Sequence, residues 1–238
     1  MKLALLGYGK MGKEIEKTAL NRGHEISLII DINNLHDLNM LNPGKVDVAL
    51  DFTTPDVAYD NIMTCFKAGV PVVSGTTGWL EKWDDLINYC KSKNQTFFYA
   101  SNFSLGVNIF SHVNKMLAQM MNSFSNYNVS VKEIHHTQKL DAPSGTAIAL
   151  ANDIIAEIDR KKRWELNKES ADQNLKIEAV RENDIPGTHI ITYDSDVDYL
   201  EIKHVARSRQ GLAYGAVLAA EYIMGKRGIF TMNDLLQF

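Results

Sequence analysis

The first hundred residues alternate short apolar runs with amphipathic stretches. The apolar runs predict buried β-strands, at residues 2–6, 25–30, 46–52, 70–74 and 96–100. Apolar positions at helical spacing predict helices between them, at residues 13–22, 56–68 and 80–91. Strands that alternate with helices favour a parallel sheet covered by helices. We therefore predict an α/β domain over this part of the chain.

Beyond residue 103 the pattern changes. Helices are predicted at residues 106–121 and 147–158, and an alternating strand at 127–136. Three alternating segments at 175–181, 188–194 and 199–205 are separated by short turns, which predicts a meander. A last helix is predicted at 212–226. We expect a second α+β domain with a mixed or antiparallel sheet at 105–211, and we assign 1–104 and 212–238 to the first domain.

Composition and charge exclude several classes of protein. The 238 residues are 45% hydrophobic and 23% charged, which is typical of globular enzymes. A net charge of −4 disfavours a nucleic-acid partner, and we find no apolar run of the roughly 18 residues that span a membrane. The N-terminal apolar run is too short for a signal peptide. Cys65 and Cys90 are expected to be reduced, and the charged run 160–163 to be a solvated helix end. These features favour a cytoplasmic protein.

A glycine-rich loop follows the first predicted strand. Residues 7–12 (GYGKMG) have the G-x-G-x-x-G pattern between a strand and a helix, and Asp31 follows 19 residues after Gly12. This context predicts a Rossmann-type dinucleotide site, with the pyrophosphate at the helix N-terminus and Asp31 on the ribose. The predicted cofactor contacts here are Gly7, Tyr8, Gly9, Lys10, Met11, Gly12 and Asp31.

The surroundings of Asp31 also bear on cofactor choice. A carboxylate at this position repels the 2′-phosphate of NADP(H), and Ile32, Asn33 and Asn34 supply no positive charge to bind it. Lys10 in the glycine loop could supply one. We therefore predict that NADH is preferred and that NADPH is possible.

Two further turns lie at the carboxyl ends of predicted strands. Residues 75–78 (GTTG) and 101–103 (SNF) follow the fourth and fifth strands. Ligands of doubly wound sheets bind at this edge, so both turns are candidates for contacting the cofactor. A single turn of this kind is commonly an ordinary loop.

The segment 133–147 (EIHHTQKLDAPSGTA) concentrates groups that can carry chemistry. His135 and His136 would point to opposite faces of a strand, so we predict no metal site, and one imidazole could be an ordinary sheet residue. Lys139 follows in a loop. Ser144 is a plausible helix N-cap, and the next N–H groups, of Gly145 and Thr146, could bind a carboxylate. Proton donors beside a carboxylate site suit hydride addition to an acid substrate.

These segments together resemble the 4-hydroxy-tetrahydrodipicolinate reductase family. The most specific similarity is residues 141–146 (DAPSGT), and further similar segments follow the family order along nearly the whole chain: 7–12, 52–53, 75–78, 102–104, 181–189 and 204–215. The resemblance implies reduction of a cyclic dicarboxylate imine by NAD(P)H with loss of water, in lysine and diaminopimelate biosynthesis. It also implies a homotetramer associated through the second domain.

The resemblance assigns roles residue by residue. His135 would be the proton donor or acceptor, His136 would contact substrate, and Lys139 would be the general acid after hydride transfer. Gly145 and Thr146 would bind a substrate carboxylate. The implied further cofactor contacts are Gly75, Thr76, Thr77, Ala100, Ser101, Asn102 and Phe103. The chain departs from the family in its shorter length, its tighter glycine loop, and Ile32 in place of an arginine that commonly follows the acid.

Two other functions stay open. The chain could be another two-domain nicotinamide dehydrogenase acting on an amino or sugar acid, or a non-catalytic NAD(H) sensor, which would leave Lys139 without a role. A cofactor held between two domains implies closure, with hinges expected near residues 104–106 and 210–211.

Overall fold

The computed structural model describes residues 1–167 and 173–238. The chain divides into two compact units. The first comprises Met1–Leu105 and Arg209–Phe238, and the second comprises Gly106–Ser208. Within the described ranges, the helices are too short or too polar for any of them to cross a membrane.

The strands and helices follow the predicted alternation closely. The strands are β1 (Lys2–Leu6), β2 (Glu25–Ile30), β3 (Val48–Asp51), β4 (Val72–Ser74), β5 (Thr96–Tyr99), β6 (Asn128–His135), β7 (Arg163–Leu166), β8 (Asn174–Arg181), β9 (Gly187–Asp194), β10 (Tyr199–Ala206) and β11 (Gly228–Phe230). The α-helices are α1 (Lys10–Asn21), α2 (Pro55–Lys67), α3 (Trp83–Ser92), α4 (Leu105–Met121), α5 (Gly145–Glu157), α6 (Gln210–Ile223) and α7 (Met232–Leu236). Short 3-10 helices lie at Leu35–Met40 and Leu80–Lys82.

The first unit is built on a six-stranded sheet in the order β11-β5-β4-β3-β1-β2, with every pair parallel. One face of the sheet packs against α1 and α6, and the other against α2 and α3. The predicted parallel sheet is confirmed. The sequence pattern did not reveal β11, a three-residue strand that extends the sheet beside β5.

Helix α1 begins three residues earlier than predicted, at Lys10 instead of residue 13. Gly9 is its N-cap, so half of the glycine loop belongs to the first helical turn. The helix signal was hidden because Gly12 interrupts the apolar spacing. Gly12 is buried against the Gly7 carbonyl oxygen, where a Cβ would lie only 2.3 Å away.

The second unit has a five-stranded mixed sheet in the order β10-β9-β6-β8-β7. Strand β9 is antiparallel to β6 and β10, whereas β8 is parallel to β6 and β7. The predicted mixed sheet is confirmed, but the predicted meander of the last three long strands is wrong. Strand β6 lies between β8 and β9, and only β9 and β10 form a hairpin. Apolar side chains of α4 and α5 cover one sheet face.

The charged run after α5 is not simply the solvated helix end that we expected. Arg160 donates hydrogen bonds to the carbonyl oxygens of Met121, Asn122, Phe124 and Tyr127. Lys161 is 3% exposed, and its ammonium donates to Asn128 and to a backbone carbonyl of β8. These two cations stabilise the chain that connects α4 to β6. Arg163 and Lys162 remain exposed, as predicted.

Candidate active site

The glycine loop has the geometry that a bound pyrophosphate requires. Gly7 has a φ of +87°, and a Cβ there would lie 2.4 Å from the carbonyl oxygen of Phe52. Gly9 caps α1 without any side-chain hydrogen bond, and a Cβ there would meet nothing within 4 Å. The N-terminus of α1 therefore has no side-chain cap, and the space beside Gly9 is open. An anion fits this position because the N–H groups and the helix dipole both attract it.

The other predicted cofactor residues of this loop differ in exposure. Lys10 is exposed, Met11 packs at the edge of the core, and the Tyr8 hydroxyl donates a hydrogen bond to Glu16. Asp31 follows β2 directly and is half-buried. Its neighbour Ile32 is 79% exposed and presents apolar surface. The residues present thus fit a dinucleotide whose ribose meets a carboxylate.

A buried carboxylate joins the turns at the carboxyl ends of β3 and β4. Asp51 is completely buried and accepts hydrogen bonds from the hydroxyls of Thr53 at 2.7 Å, and of Ser74 and Thr76 at 2.9 Å. The Thr76 hydroxyl also accepts from the backbone N–H of Thr53, at 2.9 Å. Burial raises the pKa of Asp51 above its ordinary value of 3.8, and the four side-chain donors, which include Asn61, oppose that rise.

The predicted cofactor residues in the turns at 75–78 and 101–103 differ in how accessible they are. The Thr76 hydroxyl is engaged inside the protein, whereas Thr77 is exposed. Gly75 lies against the ring of Phe52, where a Cβ would clash at 2.2 Å. At the end of β5, Ser101 is exposed, Asn102 is half-buried, and Ala100 is buried. The Phe103 side chain is buried in the apolar core, so only its backbone could contact a cofactor.

In the second unit, helix α5 begins where the sequence predicted an anion site. Ser144 is the N-cap, and its hydroxyl accepts a hydrogen bond from the Ala147 N–H at 3.2 Å. Gly145 and Thr146 form the first turn, where backbone N–H groups precede the helical ladder. A Cβ at Gly145 would meet nothing within 4 Å, so the approach to this turn is open. The arrangement can bind a carboxylate.

The imidazole of His135 faces a buried carboxylate. His135 is the last residue of β6, and its Nδ1 lies 2.6 Å from Oε2 of Glu133, two residues earlier on the same strand face. The two atoms are at ion-pair distance, although the N–H direction is poorly aligned with the oxygen. Oε1 of Glu133 accepts from the Ser144 N–H at 3.1 Å and from the Arg181 guanidinium at 3.0 Å.

These contacts set the charges of the cluster. Burial alone would raise the pKa of Glu133, but hydrogen-bonding contacts with His135, Ser144 and Arg181 outweigh it and lower the pKa to about 2. His189, on β9, packs edge-on against His135 with ring centroids 5.3 Å apart. Burial, followed by the electrostatic effect of the neighbouring His135, lowers the pKa of His189 to about 4. At neutral pH the cluster therefore contains an ionised Glu133 and a neutral His189.

Lys139 is held by a neighbouring acid. Its ammonium lies 2.7 and 2.8 Å from the two carboxylate oxygens of Asp141, and it lowers the pKa of that carboxyl. Asp141 begins the segment that leads to α5 through a cis Ala142–Pro143 peptide bond. His136, one residue beyond β6, is half-buried. The predicted substrate residues thus all lie in the second unit, and the predicted cofactor residues all lie in the first.

Family models match both halves of the chain. A model described as the N-terminus of dihydrodipicolinate reductase matches residues 1–103, and one described as its C-terminus matches residues 106–236. The chain belongs to the dihydrodipicolinate reductase family. The predicted family resemblance is confirmed.

Individual relatives agree along the whole chain. A 4-hydroxy-tetrahydrodipicolinate reductase of Christiangramia forsetii is 52% identical over 99% of this chain and 98% of its own. One from Clostridium novyi is 34% identical over 96% and 95% of the two chains. In fold, the chain is similar to a dipicolinate-bound dihydrodipicolinate reductase from Paenisporosarcina sp. TG-14. The TM-score is 0.77 and the identity is 24%, and the match covers 97% of both chains.

Sequence reasoning gave no role to four residues that organise these sites: Asp51 in the first unit, and Glu133, Arg181 and His189 in the second. It also predicted no metal site. Glu133, His135 and His189 do place candidate ligand atoms within 4.8 Å of one another, so the prediction of no metal stays a prediction. One signal was available for Glu133. Alternation along β6 places it on the same buried face as Val129 and Val131, where a carboxylate needs a partner.

Proposed function

We propose that the chain catalyses the NAD(P)H-dependent reduction of 4-hydroxy-tetrahydrodipicolinate to tetrahydrodipicolinate with loss of water, in lysine and diaminopimelate biosynthesis. Membership of the reductase family and the 52% identical relative support this activity. The single structural observation that carries it is the combination of Lys139, His135 and the open N-terminus of α5 in one unit.

Each residue of the proposed site has a separate role. The bound nicotinamide supplies the hydride. Gly145 and Thr146 bind a carboxylate of the substrate through their backbone N–H groups, and His136 adds a contact at the end of β6. Lys139 donates the proton that must follow the hydride, and its contacts with Asp141 hold the ammonium group in place. His135 exchanges a proton with the substrate through the nitrogen that does not face Glu133.

We propose NADH as the preferred cofactor. Asp31 ends β2 with a carboxylate, and the exposed Ile32 beside it offers apolar surface in place of a cation. Ile32→Arg should raise kcat/KM for NADPH at least about tenfold relative to NADH, since an arginine there can pair with the 2′-phosphate. Ile32→Gln is the matched control without charge. A wild-type enzyme with strongly higher kcat/KM for NADPH would contradict this assignment.

We also propose a cytoplasmic homotetramer without nucleic-acid or membrane partners. Strand β10, at the edge of the second sheet, exposes apolar side chains at Tyr199, Leu200 and Val205, which is the kind of surface that association covers. Light scattering should give four times the chain mass of 26.7 kDa. A monomer mass at micromolar concentration would refute the tetramer.

The activity is tested by supplying the product of dihydrodipicolinate synthase with NADH and following the loss of NADH absorbance. Lys139→Met should lower kcat at least about 100-fold, because general acid catalysis contributes that much or more. Lys162→Met, at an exposed lysine of the same unit, is the control and should keep wild-type rates.

The outcomes separate the candidate functions. Equal rates in Lys139→Met and wild type would refute the role of Lys139. No turnover by the wild type would refute the reductase activity. Turnover of an amino or sugar acid in a substrate panel would then indicate another dehydrogenase, and NADH binding without any turnover would indicate a sensor.

A further inference from the structure

Glu133 is a buried charge to which the proposed roles give no chemical task. It is fully buried, and its two oxygens point in different directions. Oε1 accepts the Ser144 N–H, which fixes the start of α5, and it also accepts from Arg181. Oε2 lies 2.6 Å from Nδ1 of His135. One carboxylate thus contacts both the proposed proton-exchanging residue and the proposed carboxylate-binding helix.

Arg181 extends this set of contacts to Lys139. Its guanidinium donates to the backbone carbonyl of Lys139 at 3.3 Å and to that of Asp141 at 2.5 Å. The loop that carries the proposed general acid is therefore held by a cation whose own charge is balanced by Glu133. Without Glu133, the guanidinium would be left half-buried beside uncharged carbonyl oxygens.

The short contact to His135 also defines where its proton lies. Two unprotonated atoms would repel each other at 2.6 Å through their lone pairs, so one of Nδ1 and Oε2 carries a proton. The low pKa of Glu133 places that proton on the imidazole. In the neutral ring Nε2 is then the free acceptor. Gly187 leaves that atom uncovered, since a Cβ there would lie 3.0 Å from Nε2.

We propose that Glu133 is a positioning residue of the second unit. It holds His135 as the Nδ1–H tautomer, so that Nε2 exchanges the proton. It also fixes the segments that carry Lys139 and Gly145. This inference rests on the proposed function and deepens it. Glu133 acts through its neighbours, as buried carboxylates that orient a functional histidine do in other enzymes.

A metal ion held by Glu133, His135 and His189 is the competing explanation of the same cluster. The guanidinium of Arg181, 3.0 Å from Glu133, already neutralises the carboxylate and would repel a divalent cation. Proton sharing therefore explains the contacts better than metal binding does.

The test is ¹⁵N NMR of histidine-labelled protein at about pH 8.5, well above the ordinary histidine pKa. In the wild type, His135 should show a protonated Nδ1 and an unprotonated Nε2, with or without EDTA. In Glu133→Gln the side-chain amide donates to Nδ1, so the tautomer should reverse. Glu178→Gln, at a half-exposed glutamate of β8 that pairs with Lys132, is the matched control and should leave His135 unchanged.

Kinetics supply the second measurement. Glu133→Gln should lower kcat at least about 100-fold, because Nε2 carries the wrong protonation state. The KM for NADH should stay within about twofold, since the cofactor residues lie in the other unit. If the variant does not fold, the tautomer of the wild type still decides the question.

Each outcome bears on one claim. An Nε2–H tautomer in the wild type, an unchanged tautomer or kcat in Glu133→Gln, or His135 and His189 signals that move together on EDTA treatment would each overturn the positioning role. A wild type without reductase activity would refute the proposed function instead, because the tautomer is measured without substrate.

Discussion

Each unit buries one carboxylate beside its predicted ligand-binding loops, but the two carboxylates have opposite surroundings. Asp51 is held by hydroxyl and amide donors, which carry no charge. Glu133 is held by a guanidinium, an imidazole and a backbone N–H. Burial therefore raises the pKa of Asp51, whereas the partners of Glu133 lower its pKa to about 2.

The two carboxylates therefore support their surroundings in different ways. Neutral donors around Asp51 fix the turns after β3 and β4 and place no cation there. Charged partners around Glu133 keep it ionised, which is what allows it to bind a proton-bearing imidazole. The first network supports the shape of a loop, and the second also determines the protonation state of a neighbour.

The largest expected effect comes from removing the charge partner of Glu133. Arg181→Met should lower the free energy of unfolding by about 3–5 kcal/mol, because a buried carboxylate loses its counter-ion. Urea denaturation measures the loss. Arg163→Met removes an arginine whose side chain is 72% exposed in the same unit, and should change stability by less than about 1 kcal/mol. Equal losses of unfolding free energy in the two variants would show that the folded protein does not need Arg181 to balance the charge of Glu133.

The second-largest expected effect is a loss of stability at acid pH, which His189 in the second unit causes. The pKa of His189 is about 4 in the folded state and 6.5 when unperturbed, so the unfolded chain binds more protons between these values. Stability is therefore present above pH 6.5 and is lost as the pH falls towards 4, by about 3 kcal/mol for His189 alone.

His189→Gln tests this pH dependence by urea denaturation at pH 6.5 and pH 4.5. The variant should lose about 2 kcal/mol less than the wild type over this interval. His36→Gln is the control, because that side chain is 79% exposed. Identical pH dependence in His189→Gln and wild type would show that another group causes the loss.

A smaller effect is expected at Asp51, since neutral donors surround it. Asp51→Asn keeps one acceptor oxygen and removes the other, so unfolding free energy should fall by about 1–2 kcal/mol. The KM for NADH should rise several-fold as the turn at Thr76 loosens, while kcat changes little. Stability and kinetics are compared with Asp47→Asn, a residue outside these turns. A KM equal to that of the wild type would argue against Asp51 as a support of the cofactor loops.

The smallest effect compares the helix caps of the two units. Ser144→Ala and Thr231→Ala each remove an N-cap hydroxyl and should each cost about 1 kcal/mol of stability. Only Ser144→Ala should raise the KM for the dicarboxylate substrate, because Gly145 follows it directly. A similar KM increase in Thr231→Ala would show that the cap at Ser144 has no special role in substrate binding.

Much of the fold was predictable because local sequence determines it. The apolar runs gave five strands of the first sheet within two residues at each end, and Gly7 and Gly12 marked close backbone contacts that only glycine allows. The glycine loop and the N-cap at Ser144 could be predicted for the same reason. Both signals lie within a few residues of the groups that they position.

The cluster around Glu133 was missed because strand order creates it. In the sheet, Glu133 pairs with His189 on β9, and His135 pairs with Arg181 on β8. The predicted meander placed β8 beside β9, which leaves no room for β6 between them. Strand order depends on packing between distant segments, and hydrophobic alternation in one sequence does not encode it. The error in topology thus hid the centre of the site.

Carboxyl ¹³C NMR of Asp51 and Glu133 between pH 7 and pH 4.5 tests the central comparison most directly. An ordinary glutamate, at 4.5, binds its proton at higher pH than an ordinary aspartate, at 3.8. We expect the reverse here: as the pH falls, the Asp51 signal should shift at a higher pH than that of Glu133, which should not shift within this range. A Glu133 signal that titrates before that of Asp51 would contradict the account of both sites.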